Sequence, residues 1–261
     1  MSTNRIHLWV GYPDDLLDEG TARACVEMLS EDERARWERF KFERHRREYL
    51  ATRVVGRRAL SAYAEVAPEA WRFVAGEHRK PAFADGLGLG LTFNLSNSLG
   101  LVVCAVGHGA EIGVDVEPFT RAGTIEEVAQ RFFSGRELEQ LDALSGDERR
   151  ERVLTLWTLK EAYMKARGLG MSLPTKLFSF VFEGGGGIRL EMDAEAEDAA
   201  ERWRFCTLDH AGHRIALMVE CGSAPELEVW EARPPLGEPK RVEVGTVRWW
   251  PVKQRVSKSA G

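Results

Sequence analysis

Ile112-Gly-Val-Asp-Val-Glu117 reads as a strand with two chemically different faces. Side chains alternate along extended backbone, so Asp115 and Glu117 point the same way, about 7 Å apart, while Val114 and Val116 turn toward a core. Two carboxylates on one face repel each other unless a cation or a base stands between them. Hard oxygen ligands of this kind suit magnesium, which fills its remaining positions with water and substrate phosphate. A solvent-facing edge strand with two acids is the plainer alternative, and both readings stay open on this stretch alone.

Some forty residues downstream, Trp157-Thr-Leu-Lys-Glu-Ala-Tyr-Met-Lys165 has the spacing of a helix. Trp157, Glu161 and Lys165 fall at i, i+4 and i+8, within an arc of roughly 80°. Leu156, Leu159, Ala162, Tyr163 and Ala166 take the opposite, core-facing side, and Lys160 flanks the polar arc. An ordinary surface helix with a Glu-to-Lys pair has the same pattern, but a large tryptophan beside that pair usually covers something. Upstream, Arg46, Arg53 and Arg57 share a stripe with Leu50 and Leu60 beside it. Arginines mixed into an apolar stripe demand an anionic partner, either a protein carboxylate or a phosphate.

Around these stretches the periodicity predicts a strand over 5–12, a polar helix over 30–44 and a stronger helix over 46–66. A turn at 85–90 leads into a hairpin of strands 91–95 and 101–106. Two helical pieces follow over 125–144, broken at Ser134-Gly135, then a helix over 149–167 stopped by Gly168-Leu-Gly170. Two strands meet at the glycines 184–187, and strands 203–208 and 214–220 flank Asp209-His-Ala-Gly-His213. His210 and His213 are expected at the surface, with no third metal ligand nearby. Each half thus runs strand, helices, strand pair, which suggests two similar α/β halves meeting near residue 110. The expected divisions are 1–108, 109–228 and a basic, tryptophan-containing extension over 229–261, read as a strap or a mobile tail.

The chain has 261 residues, 44% hydrophobic and 30% charged, with a net charge of −5. That composition excludes disordered, collagen-like and coiled-coil chains, and no apolar run approaches a membrane span. No basic-then-apolar leader opens the sequence, and the cysteines at 25, 104, 206 and 221 lack C-x-x-C spacing, so a cytoplasmic protein with reduced thiols is expected. The net charge argues against nucleic-acid binding. Nine arginines and one lysine against three glutamates between Arg34 and Arg58 still point to a compact anionic ligand or an acidic partner. No dinucleotide fingerprint, P-loop or nucleophile elbow occurs.

In order and spacing these pieces resemble the 4′-phosphopantetheinyl transferases of the Sfp type. The resemblance covers about residues 30–185 and is carried by G-V-D-V-E at 113–117, R-F-F-S at 131–134, W-T-L-K-E-A-Y-M-K at 157–165 and G-L-G-M-S-L-P at 168–174. Upstream, Arg46-Arg-Glu-Tyr-Leu-Ala-Thr-Arg53, Lys80-Pro81 and Phe93-Asn-Leu-Ser96 fit the same family. It implies an α+β fold of two similar halves related by pseudo-twofold symmetry, with coenzyme A in the cleft between them. The implied reaction moves the phosphopantetheine arm of coenzyme A to a serine of an apo acyl or peptidyl carrier protein. By similarity, Asp115, Glu117 and Glu161 hold magnesium, Glu161 and Lys165 do the chemistry, and Arg53, Lys80, Ser96, Asn97, Lys160 and Lys165 hold coenzyme A. Where the family has histidine after F-N-x-S, this chain has Asn97, which donates a hydrogen bond but carries no charge, so weaker or less pH-dependent coenzyme A binding is expected. A monomer is expected, since both halves lie in one chain. The alternative is a member that binds coenzyme A or a carrier protein without turnover.

Overall fold

The computed structural model describes residues 4–17, 20–76, 81–84, 88, 90–233, 237–245 and 247–251. The first half opens with β1 (Arg5–Gly11), three short helices α1 (Pro13–Leu16), α2 (Ala22–Glu27) and α3 (Glu31–Glu38), and the long α4 (Glu43–Ser61). A ribbon of β2 (Phe73–Ala75) and β3 (Pro81–Phe83) and a hairpin of β4 (Leu91–Ser98) and β5 (Leu101–His108) complete it. The second half repeats that order with β6 (Ile112–Pro118), α5 (Ala122–Phe132), α6 (Gly135–Asp142) and the long α7 (Gly146–Arg167). It continues with a ribbon of β7 (Phe178–Glu183) and β8 (Gly187–Met192) and a hairpin of β9 (Trp203–His210) and β10 (His213–Glu220). Three further strands follow: β11 (Glu226–Glu231), β12 (Lys240–Val242) and β13 (Trp250–Pro251).

The strands form two main sheets, ordered β12-β11-β1-β5-β4 and β13-β9-β10-β6. Within them β1-β5-β4 and β6-β10-β9 have the same order, joined antiparallel throughout. Period-2 alternation explains how the sheets stack. Leu8, Val10, Val103 and Ala105 of the first sheet meet Val114, Val116, Ile215 and Leu217 of the second in one buried cluster. The opposite face of the first sheet, with Trp9, Val102 and Cys104, packs on Leu50, Val54 and Val55 of α4. The opposite face of the second, with Ala216 and Met218, packs on Leu159, Ala162 and Ala166 of α7. The stack is helix, sheet, sheet, helix, an α+β arrangement as expected.

The β4–β5 turn is tighter than the sequence suggested. Leu99 and Gly100 both take positive φ, 27° and 88°, so two residues reverse the chain and the strands run on to Ser98 and from Leu101. The final strands are not a separate appendage: β11 pairs parallel with β1, β12 adds to β11, and β13 adds to β9, so both sheets are widened at one edge. The opposite edges, β4 and β6, come together.

Candidate active site

The β4–β6 seam is stitched by side chains. Asn94 Oδ1 accepts from the Val114 amide at 2.9 Å, Ser96 Oγ donates to Asp115 Oδ1 at 3.0 Å, and Ser98 Oγ donates to Glu117 Oε2 at 3.0 Å. Asn94, Ser96 and Ser98 share one face of β4, so the pleat delivers all three to β6. On β6, Gly113, Asp115 and Glu117 face α7. A Cβ on Gly113 would collide with the Ala162 carbonyl oxygen and the Ala166 amide nitrogen. The glycine of G-V-D-V-E therefore lets the helix settle directly on the strand, bringing the two acids within reach of α7.

Both acids are 4% exposed, so they do not lie on a solvated edge. Buried carboxylates need partners, and each has them. Lys165 Nζ donates to Asp115 Oδ1 at 2.7 Å and to Ser96 Oγ at 2.8 Å. Glu117 Oε1 takes the Arg121 guanidinium and, at 3.2 Å, the Trp157 indole N–H. Phe132 supports that indole edge-to-face with ring centres 5.4 Å apart. Asp115 Oδ2 is buried without a hydrogen-bond partner. Burial pushes the Glu161 carboxyl up to about 7; the charge of Asp115 adds to this, Lys165 opposes it, and Glu117 adds further. Glu161 thus feels both strand acids as neighbours and holds or releases a proton near neutral pH.

Hard carboxylate oxygens and the unbonded Asp115 Oδ2 match what a small divalent cation requires. Among the described residues no group of three or more His, Cys, Asp or Glu side chains closes around a common point. Lys165 pairs with Asp115 and Arg121 with Glu117.

Lys160 corrects the sequence reading. It does not flank the polar arc but is 2% exposed on the far side of α7. Its ammonium meets Glu137 Oε2 at 2.7 Å and donates to the carbonyls of Thr175 at 2.8 Å and Phe178 at 2.9 Å. All three protons are engaged, so none is left for a ligand. The physical reason is that α5, α6 and the β7–β8 ribbon cover α7 from the side away from the sheet. Arg53 is turned to Glu33, 3.6 Å away, with its guanidinium over the Tyr49 ring. Asn97 is exposed and lies on the opposite face of β4 from Ser96. Lys80 lies outside the described residues. His213 is buried rather than at the surface, bridging the carbonyls of Ala211 at 2.7 Å and Leu99 at 3.1 Å. Sequence reasoning missed Arg121 and Ser98; Arg121 stands four residues after Glu117, a spacing that could have drawn notice.

A cavity of about 350 Å³ opens beside α7, lined by Pro81, Phe83, Thr92, Glu111, Arg167 and Leu169. A larger one, about 590 Å³, lies beneath the last strands with Glu228 and Arg241 and contains none of the acids discussed above. The 350 Å³ cavity and another of about 290 Å³, lined by Tyr163, Arg167, Leu169 and Pro174, both lie at the end of the helix that carries Glu161 and Lys165; only the former of these two is also lined by β3 and β4.

The profile of the 4′-phosphopantetheinyl transferase superfamily matches residues 111–218, which span β6 to most of β10. The 4′-phosphopantetheinyl transferase HetI of Nostoc sp. (strain PCC 7120) is 37% identical over 174 residues, covering 65% of this chain and 71% of its own. The 4′-phosphopantetheinyl transferase Sfp of Bacillus subtilis (strain 168) is 30% identical over 181 residues, covering 69% and 79%.

Proposed function

The chain belongs to the 4′-phosphopantetheinyl transferase superfamily, and on that premise we propose that it moves the phosphopantetheine arm of coenzyme A onto a serine of an apo acyl or peptidyl carrier protein, releasing adenosine 3′,5′-bisphosphate. The observation that carries the reading is the cluster at the β4–β6 seam: Asp115, Glu117 and Glu161 with Lys165 beside them. Asp115, Glu117 and Glu161 would hold magnesium, for which the unbonded Asp115 Oδ2 is a ready donor. When bound, that ion supplies charge neutralisation at the pyrophosphate.

The chain's own groups do the rest. Glu161, whose carboxyl would be held ionised by the bound ion, takes the proton of the carrier serine, directly or through a water. The serine oxygen then bonds to the phosphorus next to pantetheine as the bond from that phosphorus to the bridging oxygen breaks. Negative charge collects on the departing bisphosphate, and Lys165, 2.7 Å from Asp115, is the cation that neutralises it. Ser96 holds Lys165 through its hydroxyl, and Trp157 and Ser98 fix the Glu117 carboxylate. The shared strand order of the halves supports a pseudo-twofold relation between 1–108 and 109–228, with the ligand in a cleft between them. A monomer in the cytoplasm suits four cysteines that form no disulfide with one another and both halves lying on one chain.

The test is incubation with coenzyme A, magnesium and a panel of apo carrier proteins, followed by intact-protein mass spectrometry. A gain of one phosphopantetheine, abolished by chelator, is expected. No gain on any carrier, with coenzyme A still bound, would favour a binding protein on this fold.

A further inference from the structure

Two buried cations stand in matching places in the two halves. Arg57, on α4, is fully buried; its guanidinium pairs with Glu33 and donates to the carbonyls of Pro68 and Trp71, both at 2.8 Å. Lys160, on α7, pairs with Glu137 and donates to the carbonyls of Thr175 and Phe178. The two glutamates also correspond. Glu33 is the third residue of α3 and closes a capping box with Ser30; Glu137 is the third residue of α6 and closes one with Ser134. Each cation lies over the ring that begins the following ribbon: Arg57 is 5.3 Å from Phe73 of β2, and Lys160 is 4.2 Å from Phe178 of β7. Serine, glutamate, cation and phenylalanine recur about 104 residues apart.

The carbonyls that each cation holds are the consequential part. Arg57 grips the chain as it enters β2, and β2 carries β3, whose Pro81, Ala82 and Phe83 form one side of the 350 Å³ cavity. Lys160 grips the far end of the segment that leaves α7 at Gly168, and Gly168 and Leu169 form the other side. Gly168 itself, left-handed at φ 67°, fixes the near end as the helix cap. The chain leading into one side of the cavity and the chain leading away from the other are therefore each tied to a long helix by a buried charge.

We infer that Arg57 and Lys160 are a matched pair of positioning residues, which set the two walls of the cavity beside α7 without touching the ligand. This rests on the transferase reading, with coenzyme A as the ligand. Walls that contact bound ligand but not the reacting atoms contribute uniform binding, so loosening them raises KM and spares kcat.

The test uses two double variants in the full chain, Lys160→Met with Glu137→Gln and Arg57→Met with Glu33→Gln. Glutamine keeps each capping box, and removing both charges together avoids an unpaired buried ion. Each variant is expected to melt cooperatively within a few degrees of the parent, with KM for coenzyme A raised about 10-fold and kcat within about 3-fold. Hydrogen exchange over residues 169–177 should quicken in the Lys160 variant alone. A folded variant with unchanged KM and unchanged coenzyme A affinity overturns the proposal. So does a variant that melts far below the parent, because the pair would then be a determinant of folding only. Coenzyme A affinity, read by calorimetry without a carrier, keeps this test apart from the transferase reading: a parent protein that binds coenzyme A but modifies no carrier overturns that reading while the affinity comparison still decides the clamps.

Discussion

Helices α4 and α7 occupy equivalent places in the two halves, yet their charges meet different fates. On α4 the arginines are turned to protein groups: Arg46 to the Phe40 carbonyl at 3.0 Å, Arg47 to the Leu17 carbonyl at 3.0 Å and Arg53 to Glu33. On α7, Lys160 is absorbed in the same manner, but Glu161 and Lys165 turn toward the acids of β6. The difference originates in the strand beneath each helix. Gly113, with the α7 backbone directly against it, is followed on the same face by Asp115 and Glu117; β1 presents Trp9 and Gly11 to the α4 side. The first half therefore contributes hydroxyls from β4, and the second contributes the ionisable groups. Similar scaffolding can be kept in both halves while the proposed site acids are confined to one.

The strongest attack on this contrast is Glu161→Gln. Transfer is expected to fall about 10³-fold while coenzyme A affinity stays within about 3-fold, measured by carrier mass gain and by calorimetry. Arg53→Gln, on the other long helix, should leave the transfer rate within a few-fold; equal losses from both would erase the distinction between the halves.

Next in size is the glycine comparison. Gly113→Ala drives a methyl group into the α7 backbone, and a loss of about 3 kcal/mol in denaturant unfolding is expected. Gly11→Ala meets side-chain rather than backbone atoms, on the stiff Val55 and the more pliant Leu16, so a smaller loss of about 1–2 kcal/mol is expected there. A reversed ranking would show that helix-to-strand closeness is not what sets the second half apart.

The third prediction concerns pH. The Glu161 carboxyl titrates near 7 in the folded protein against an ordinary 4.5. A raised value means its favourable contribution is complete below about pH 4.5 and is lost as pH climbs through 7. Without added divalent ion, Glu161→Gln should therefore unfold about 2 kcal/mol harder than the parent at pH 8, with the gap closing toward pH 5. A pH-independent gap would place the cause outside ionisation.

The smallest effect is expected from Asn97→His. The position is exposed, so stability should move by less than about 0.5 kcal/mol. Coenzyme A affinity should rise a few-fold below about pH 6.5, where the imidazole is charged. Affinity that is flat across pH 5.5 to 8 would show that Asn97 does not meet a phosphate.

Much of the site was legible because local periodicity dictates it. A strand with period 2 must put Asp115 and Glu117 together, and a helix with 3.6 residues per turn must put Trp157, Glu161 and Lys165 together. The order of strands and helices, and with it the α+β class, followed from the same periodicities. Lys160 was misplaced because a helical wheel shows where a side chain points, not what other element covers that side. Here α6 and β7 cover it. Both Ser30-Glu-Asp-Glu33 and Ser134-Gly-Arg-Glu137 have the capping-box pattern, so the two helix starts could be read. That each glutamate would also clamp a cation from a distant helix could not be.

What the sequence alone determined is thus each residue's face on its own strand or helix, together with the chemical types gathered on that face. Only the tertiary structure decided which faces meet. The β4–β6 seam joins residues 19 apart in the chain, and Lys165 reaches Ser96 across 69. Such pairings depend on two sheets packing through Val114, Val116 and their partners, a cooperative burial that no local stretch encodes. The same packing set the ionisation of Glu161, because a carboxyl near 7 is a property of its buried neighbours rather than of glutamate.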